Sequence, residues 1–115
     1  LEILTMVRTL LRRRDVKLIE ASDGEEAMRL IRENTPNLVV LDVMMPGMSG
    51  WEICKAIRED GELAGTGVIM LTGIGERLNE MTSPLYGADA YLDKPFELTA
   101  LDDAVTRVLA ARVGG

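Results

Sequence analysis

Three short apolar runs end in side chains suited to a phosphoryl group. Residues 38–41 run into the carboxylate of Asp42, residues 68–71 run into the hydroxyl of Thr72, and residues 90–92 run into Asp93, Lys94 and Pro95. If these runs are neighbouring parallel strands, one carboxylate, one hydroxyl and one ammonium converge on a single edge of the sheet, where open α/β folds place their ligands. Taken singly, each residue has a plainer reading. Asp42 would cap a turn, Thr72 would end a strand, and Lys94 would be a solvated loop charge. Jointly they outline a phosphoryl site.

Composition narrows the classes of function. A chain of 115 residues with 47% hydrophobic content suits one compact domain with a real core. The net charge of -6 argues against broad affinity for nucleic-acid backbone, which needs clustered Lys and Arg. Cys54 is the only cysteine, so an intrachain disulfide is impossible and a reducing, cytoplasmic setting is expected. No apolar run approaches the roughly 18 residues of a membrane span, and the amino terminus lacks the zones of a signal peptide. There is no histidine. A His-based triad or His metal cage is excluded, and any phosphohistidine must sit on a partner.

The elements that would position the three side chains follow from periodicity. Ile3, Leu4, Val7, Leu10 and Leu11 fall on one face of a first helix, with Arg12, Arg13 and Arg14 as a solvated, cationic helix end. Residues 16–21 read as a strand near the sheet edge, interrupted by Lys17 and Glu20. Ser22 and Glu25 have capping-box spacing and predict a helix to about Asn34 that buries Ala27, Leu30 and Ile31, broken by Thr35-Pro36-Asn37. Ser49 and Glu52 repeat that spacing and predict a helix with Trp51, Cys54 and Ile57 inward, ending near Asp60-Gly61. Residues 38–41 and 68–71 are wholly apolar, as expected of central strands covered on both faces. Gly73-Ile74-Gly75 is expected to be a loop, and residues 76–86 a short or bent helix because of Pro84. Leu98, Leu101, Val105, Val108 and Leu109 mark a final amphipathic helix.

The quoted stretches resemble a known family. Asp42-Val43-Met44-Met45-Pro46-Gly47-Met48-Ser49-Gly50, then Val68-Ile69-Met70-Leu71-Thr72-Gly73, then Gly87-Ala88-Asp89-Ala90-Tyr91-Leu92-Asp93-Lys94-Pro95-Phe96 are similar to the receiver domain of two-component response regulators. The resemblance covers residues 1–112 as one domain and leaves 113–115 as a tail. It implies a flavodoxin-like α/β fold with a parallel sheet in the order 2-1-3-4-5. It also implies that Asp42 is the phosphoacceptor, taking its phosphoryl group from a histidine kinase or phosphotransfer protein in a magnesium-dependent step. Lys94 would then supply a point charge and Thr72 a hydrogen bond to the phosphoryl oxygens. The Met44 backbone carbonyl would join Asp42 in the metal shell, Lys94-Pro95 would be a cis peptide, and Tyr91 would switch with the Thr72 hydroxyl. The output face would combine residues 76–86, Tyr91 and the last helix, and would bind a downstream protein.

One departure from the family pattern stands out. Receivers begin with an apolar strand ending in an acidic pair that holds the magnesium, and Leu1 aligns with the start of the first helix beyond it. The expectation is a flavodoxin-like fold without its first strand, with a gap of roughly 9 to 10 Å between the residue 16–21 strand and the residue 38–41 strand. Such apolar edges invite strand exchange, dimerisation or collapse of the gap. A shortened ordinary receiver, a naturally shortened one, and a chain whose partner supplies the strand are all compatible with this. Magnesium binding should be weak with only Asp42 and one carbonyl left as ligands.

Two functions compete. One is a signalling module in which phosphorylation of Asp42 shifts two conformations and hence partner affinity. The other is an interaction scaffold that has lost phosphotransfer. An aspartate-nucleophile phosphatase of the haloacid dehalogenase type is excluded because Met44 occupies the position of the required second aspartate. Gly73-Ile74-Gly75 lacks the lysine and spacing of a nucleotide phosphate loop.

Overall fold

The computed structural model describes residues 2–14, 18–42, 47–72, 88–93 and 96–112. Four helices and three strands lie along them. These are α1 Glu2–Arg12, α2 Gly24–Asn34, β1 Leu38–Asp42, α3 Gly50–Glu59, β2 Gly67–Thr72, β3 Ala90–Asp93 and α4 Leu98–Arg112. The strands form one parallel sheet in the order β1-β2-β3. Leu38 pairs with Gly67 and Asp42 with Leu71, while Ile69 pairs with Ala90 and Thr72 with Asp93.

Alternation along each strand divides the core into two layers, as a parallel sheet covered on both faces requires. Leu41, Val68 and Met70 face α2 and α3, meeting Met28, Ile31, Ile53, Cys54 and Ile57. Ile69, Leu71 and Ala90 face α1 and α4, meeting Val7, Leu10, Leu11, Leu101, Val105 and Val108. Val68, Ile69 and Met70 are fully buried, so β2 is the central strand expected from its unbroken apolar sequence. The expectation for residues 38–41 is only partly met. Leu41 is buried, but Leu38, Val39 and Val40 are half-buried, because β1 pairs on one side only among the described residues.

Residues 18–21 carry no strand, and 15–17 lie outside the described residues. The apolar pattern there cannot become a ladder without a neighbour, and the described residues provide none. The α2 start is also displaced by one residue from the predicted box. Asp23 is the N-cap, its carboxylate accepting the Glu26 N–H at 2.8 Å, while the Glu26 carboxylate accepts the Ser22 N–H at 2.8 Å. Ala27 and Ile31 are buried as expected, but Met28 takes the inward position and Leu30 is half-buried. Thr35 ends α2 in the left-handed region at φ 40, before Pro36, which excludes helical continuation.

The second box holds as predicted. Ser49 caps α3, accepting the Glu52 N–H at 3.3 Å, and Cys54 and Ile57 are fully buried together with Ile53. Trp51 is half-buried. The arginine cluster is a partial correction. Arg12 and Arg13 are exposed, whereas Arg14 reaches α4, where it donates to the Asp102 carboxylate at 2.6 Å and to the Thr106 hydroxyl. A helix end that meets a neighbouring helix has a better partner than water for its last cation.

Candidate functional site

Each strand of the sheet points its C-terminal end to the same edge, because all are parallel. Asp42 closes β1 and is half-buried. Its partner on β2 is Leu71, so Thr72 lies one residue further along the adjacent strand. Thr72 in turn pairs with Asp93, the last residue of β3, and Lys94 follows it in the chain. The backbone therefore brings Asp42, Thr72 and the approach to Lys94 onto three consecutive strand ends, about 4.8 Å apart from one strand to the next. The side chain of Thr72 is not among those described, and Met44, Lys94 and Pro95 lie outside the described residues.

The segment just before α3 lies against the start of α2. A Cβ on Gly24 would sit 2.1 Å from the Met48 carbonyl oxygen, so the first turn of α2 lies directly against the segment that leads into α3. Gly47, at φ 77, takes a left-handed conformation that favours glycine and turns the chain into that contact. Met48 and Trp51 then pack on the same core layer as Leu41.

Tyr91 pairs with Met70 two residues before the end of the ladder and faces the α2 and α3 side. Its hydroxyl oxygen is buried, and its ring lies 6.0 Å from that of Trp51 at 39°. That is a tilted aromatic contact between β3 and the first turn of α3. The expected face over residues 76–86 lies outside the described residues.

At the opposite edge of the sheet a polar network locks the strand starts. Arg58 donates to the Asp89 carboxylate at 2.9 Å and to the Thr66 carbonyl at 2.6 Å. The same Asp89 oxygen accepts the Val68 N–H at 2.8 Å, and the Asp89 N–H donates to the Val68 carbonyl at 2.9 Å. Neither Arg58 nor Asp89 was singled out by the sequence. The stretch Gly87-Ala88-Asp89 preceding β3 was its only trace.

Among the described residues no group of three or more His, Cys, Asp or Glu is placed to hold a metal ion. Magnesium prefers about six oxygens in near-octahedral geometry, and even with several waters one carboxylate is a sparse anchor. The described residues therefore do not by themselves fit a complete magnesium shell.

A three-layer fold with parallel strands, whose carboxyl edge carries the strand-terminal residues Asp42, Thr72 and Asp93, defines a flavodoxin-like α/β module. The chain matches the response regulator receiver domain family over residues 2–106 and belongs to that family. It is 39% identical over 92 residues to the probable transcriptional regulator ycf27 of Guillardia theta, a match covering 80% of this chain and 35% of that protein. It is 36% identical over 107 residues to the alkaline phosphatase synthesis transcriptional regulatory protein PhoP of Bacillus subtilis, covering 93% of this chain and 44% of that one. The chain thus spans less than half the length of these relatives.

The fold agrees. A response regulator from Chloroflexus aurantiacus superposes with a TM-score of 0.86 at 32% identity, covering 95% of this chain and 89% of the other. The chemotaxis protein CheY4 of Vibrio cholerae gives 0.83 at 30% identity, covering 94% and 90%. The chain is a receiver domain of the two-component response regulators, a signalling module of phosphorelay systems. No helix among the described residues is long and apolar enough to cross a membrane.

Proposed function

We propose that Asp42 accepts a phosphoryl group from the phosphohistidine of a histidine kinase or phosphotransfer protein, and that its phosphorylation changes affinity for a downstream protein. The observation that carries this reading is the register. Asp42 ends β1 one residue short of Thr72 on the neighbouring strand, with Asp93 and then Lys94 at the next strand end. A carboxylate oxygen of Asp42 forms the new P–O bond as the P–N bond of the donor breaks, and the electron pair leaves on the donor's imidazole. These 115 residues contain no histidine, so that imidazole lies outside them.

Thr72 and Lys94 have the chemistry to hold the transferred group, the hydroxyl by a hydrogen bond and the ammonium as a point charge. Pro95 in a cis peptide would aim Lys94, and Tyr91 would register the state of Thr72. Receiver domains bind magnesium at the phosphorylation site, where the cation offsets phosphoryl charge. Here Asp42 and the Met44 carbonyl would be among the groups that hold it. The group remains on the chain's own aspartate, so the chain acts as an acceptor and switch rather than as an enzyme turning over a substrate. Residues 1–112 form this unit. The regulatory names of relatives that extend well beyond the match support transcription as the output of the full-length protein.

Mass spectrometry after incubation with acetyl phosphate and magnesium tests the reading. The wild-type chain gains one phosphoryl group, and Asp42→Asn gains none. Equal spectra for the two proteins would leave a scaffold that binds partners independently of phosphorylation.

A further inference from the structure

One flank of α2 borders an open groove of about 370 Å³, lined by Glu25, Met28, Arg29, Arg32, Glu33 and Met48. Asp42 does not line it, so the groove is separate from the phosphoryl site. Met28 also belongs to the core behind it, and Met48 is half-buried. Around these two thioethers stand two carboxylates and two guanidinium groups, a locally neutral set on a chain of net charge -6. Glu25 and Arg32 are both exposed and stand seven residues apart, two turns along the same helix face. Their separation along the axis is about 10 Å, too far for them to pair with each other. Arg29 and Glu33 join at 3.1 Å, but among the described residues neither Glu25 nor Arg32 takes part in an ion pair.

We propose that this groove is a self-association face, and that its occupant is α2 of a second copy of the chain, running antiparallel. With a twofold axis between Met28 and Arg29, Glu25 of each copy meets Arg32 of the other, and each Met28 lies across from the aliphatic stem of an Arg29. The stripe is thus its own complement, which an isologous contact requires. Glu33 comes over the amino-terminal end of the opposite α2, where a carboxylate is favoured. A locally neutral face lets two chains of like net charge approach, whereas a nucleic acid or a strongly acidic protein would meet as many carboxylates as guanidinium groups. Methionine side chains adapt readily to such a neighbour. A single helix pair buries little area, so the dimer is weak and forms at high protein concentration.

Sedimentation equilibrium and methyl NMR of the full chain, from micromolar to millimolar concentration, test this. The wild type is expected to dimerise within that range, less tightly as salt rises. On dilution the Met48 methyl signal should shift, while that of the fully buried Met70 stays fixed. Glu25→Arg and Arg32→Glu should each weaken association at least about tenfold, because each homodimer then sets like charges opposite one another. An equimolar mixture of the two single variants should recover it, since one chain then presents two guanidinium groups to two carboxylates on the other. The double variant should recover it as well. A wild-type chain that stays monomeric throughout, leaving the groove to a different protein, overturns the proposal. So do single variants that dimerise as the wild type does, and so does failure of both the mixture and the double variant to recover when circular dichroism shows the variants folded.

Discussion

Arg58 on α3 and Asp89 ahead of β3 form an ion pair of 2.9 Å in which both side chains are mostly shielded, at 16% and 19% exposure. Each also serves the backbone of the strand starts, Asp89 by accepting the Val68 N–H and Arg58 by donating to the Thr66 carbonyl. The pair therefore ties α3, β2 and β3 together at the edge away from Asp42. Asp89→Ala should lower unfolding free energy by about 2–4 kcal/mol, because it strands a shielded guanidinium and a backbone donor. Asp89→Asn, which can still accept from Val68, should lose less. Urea denaturation of the variants checks the order.

Gly24→Ala should destabilise rather than stabilise. In an exposed helix the change would gain up to about 1 kcal/mol from propensity. Here the new methyl meets the Met48 backbone at 2.1 Å, and backbone cannot rotate aside. A net loss of about 1–3 kcal/mol is expected, read as a lower denaturation midpoint.

Cys54 is fully buried, and burial pushes its thiol up to about 11. Thiol reagents should label the native protein slowly at neutral pH and rapidly in denaturant. The folded state binds this proton more tightly than the unfolded state, whose thiol stays near 9.0. Its contribution is fully present below about pH 9 and is lost as pH rises through about 11. Cys54→Ala should flatten the stability profile across that window, as measured by denaturation at a series of pH values.

Glu20 receives a guanidinium fork from Arg8 of α1, at 2.6 and 3.0 Å. That hydrogen bond holds its carboxyl below the ordinary 4.5. A depressed carboxyl contributes above its unfolded value, and the contribution fades as pH falls through the folded one. NMR titration should place Glu20 below 4.5, and Arg8→Gln should return it toward that value.

The types and order of the elements, and the convergence of Asp42 with Thr72 at a sheet edge, were legible in the chain because both are written in neighbouring residues. Apolar runs specify strands, 3.6-residue stripes specify helices, and parallel pairing carries every strand end to one side. The Ser49 box lay in that category. The tertiary structure alone decided which contacts cross the chain. Arg14 meets Asp102 across 88 positions, and Arg58 meets Asp89 across 31, separations that leave no periodic trace. It also decided that residues 18–21 remain outside the ladder and that β1 has one bonded side among the described residues. A strand depends on its neighbours for all of its ladder hydrogen bonds, so its own sequence states the propensity and the surrounding fold determines whether it is met.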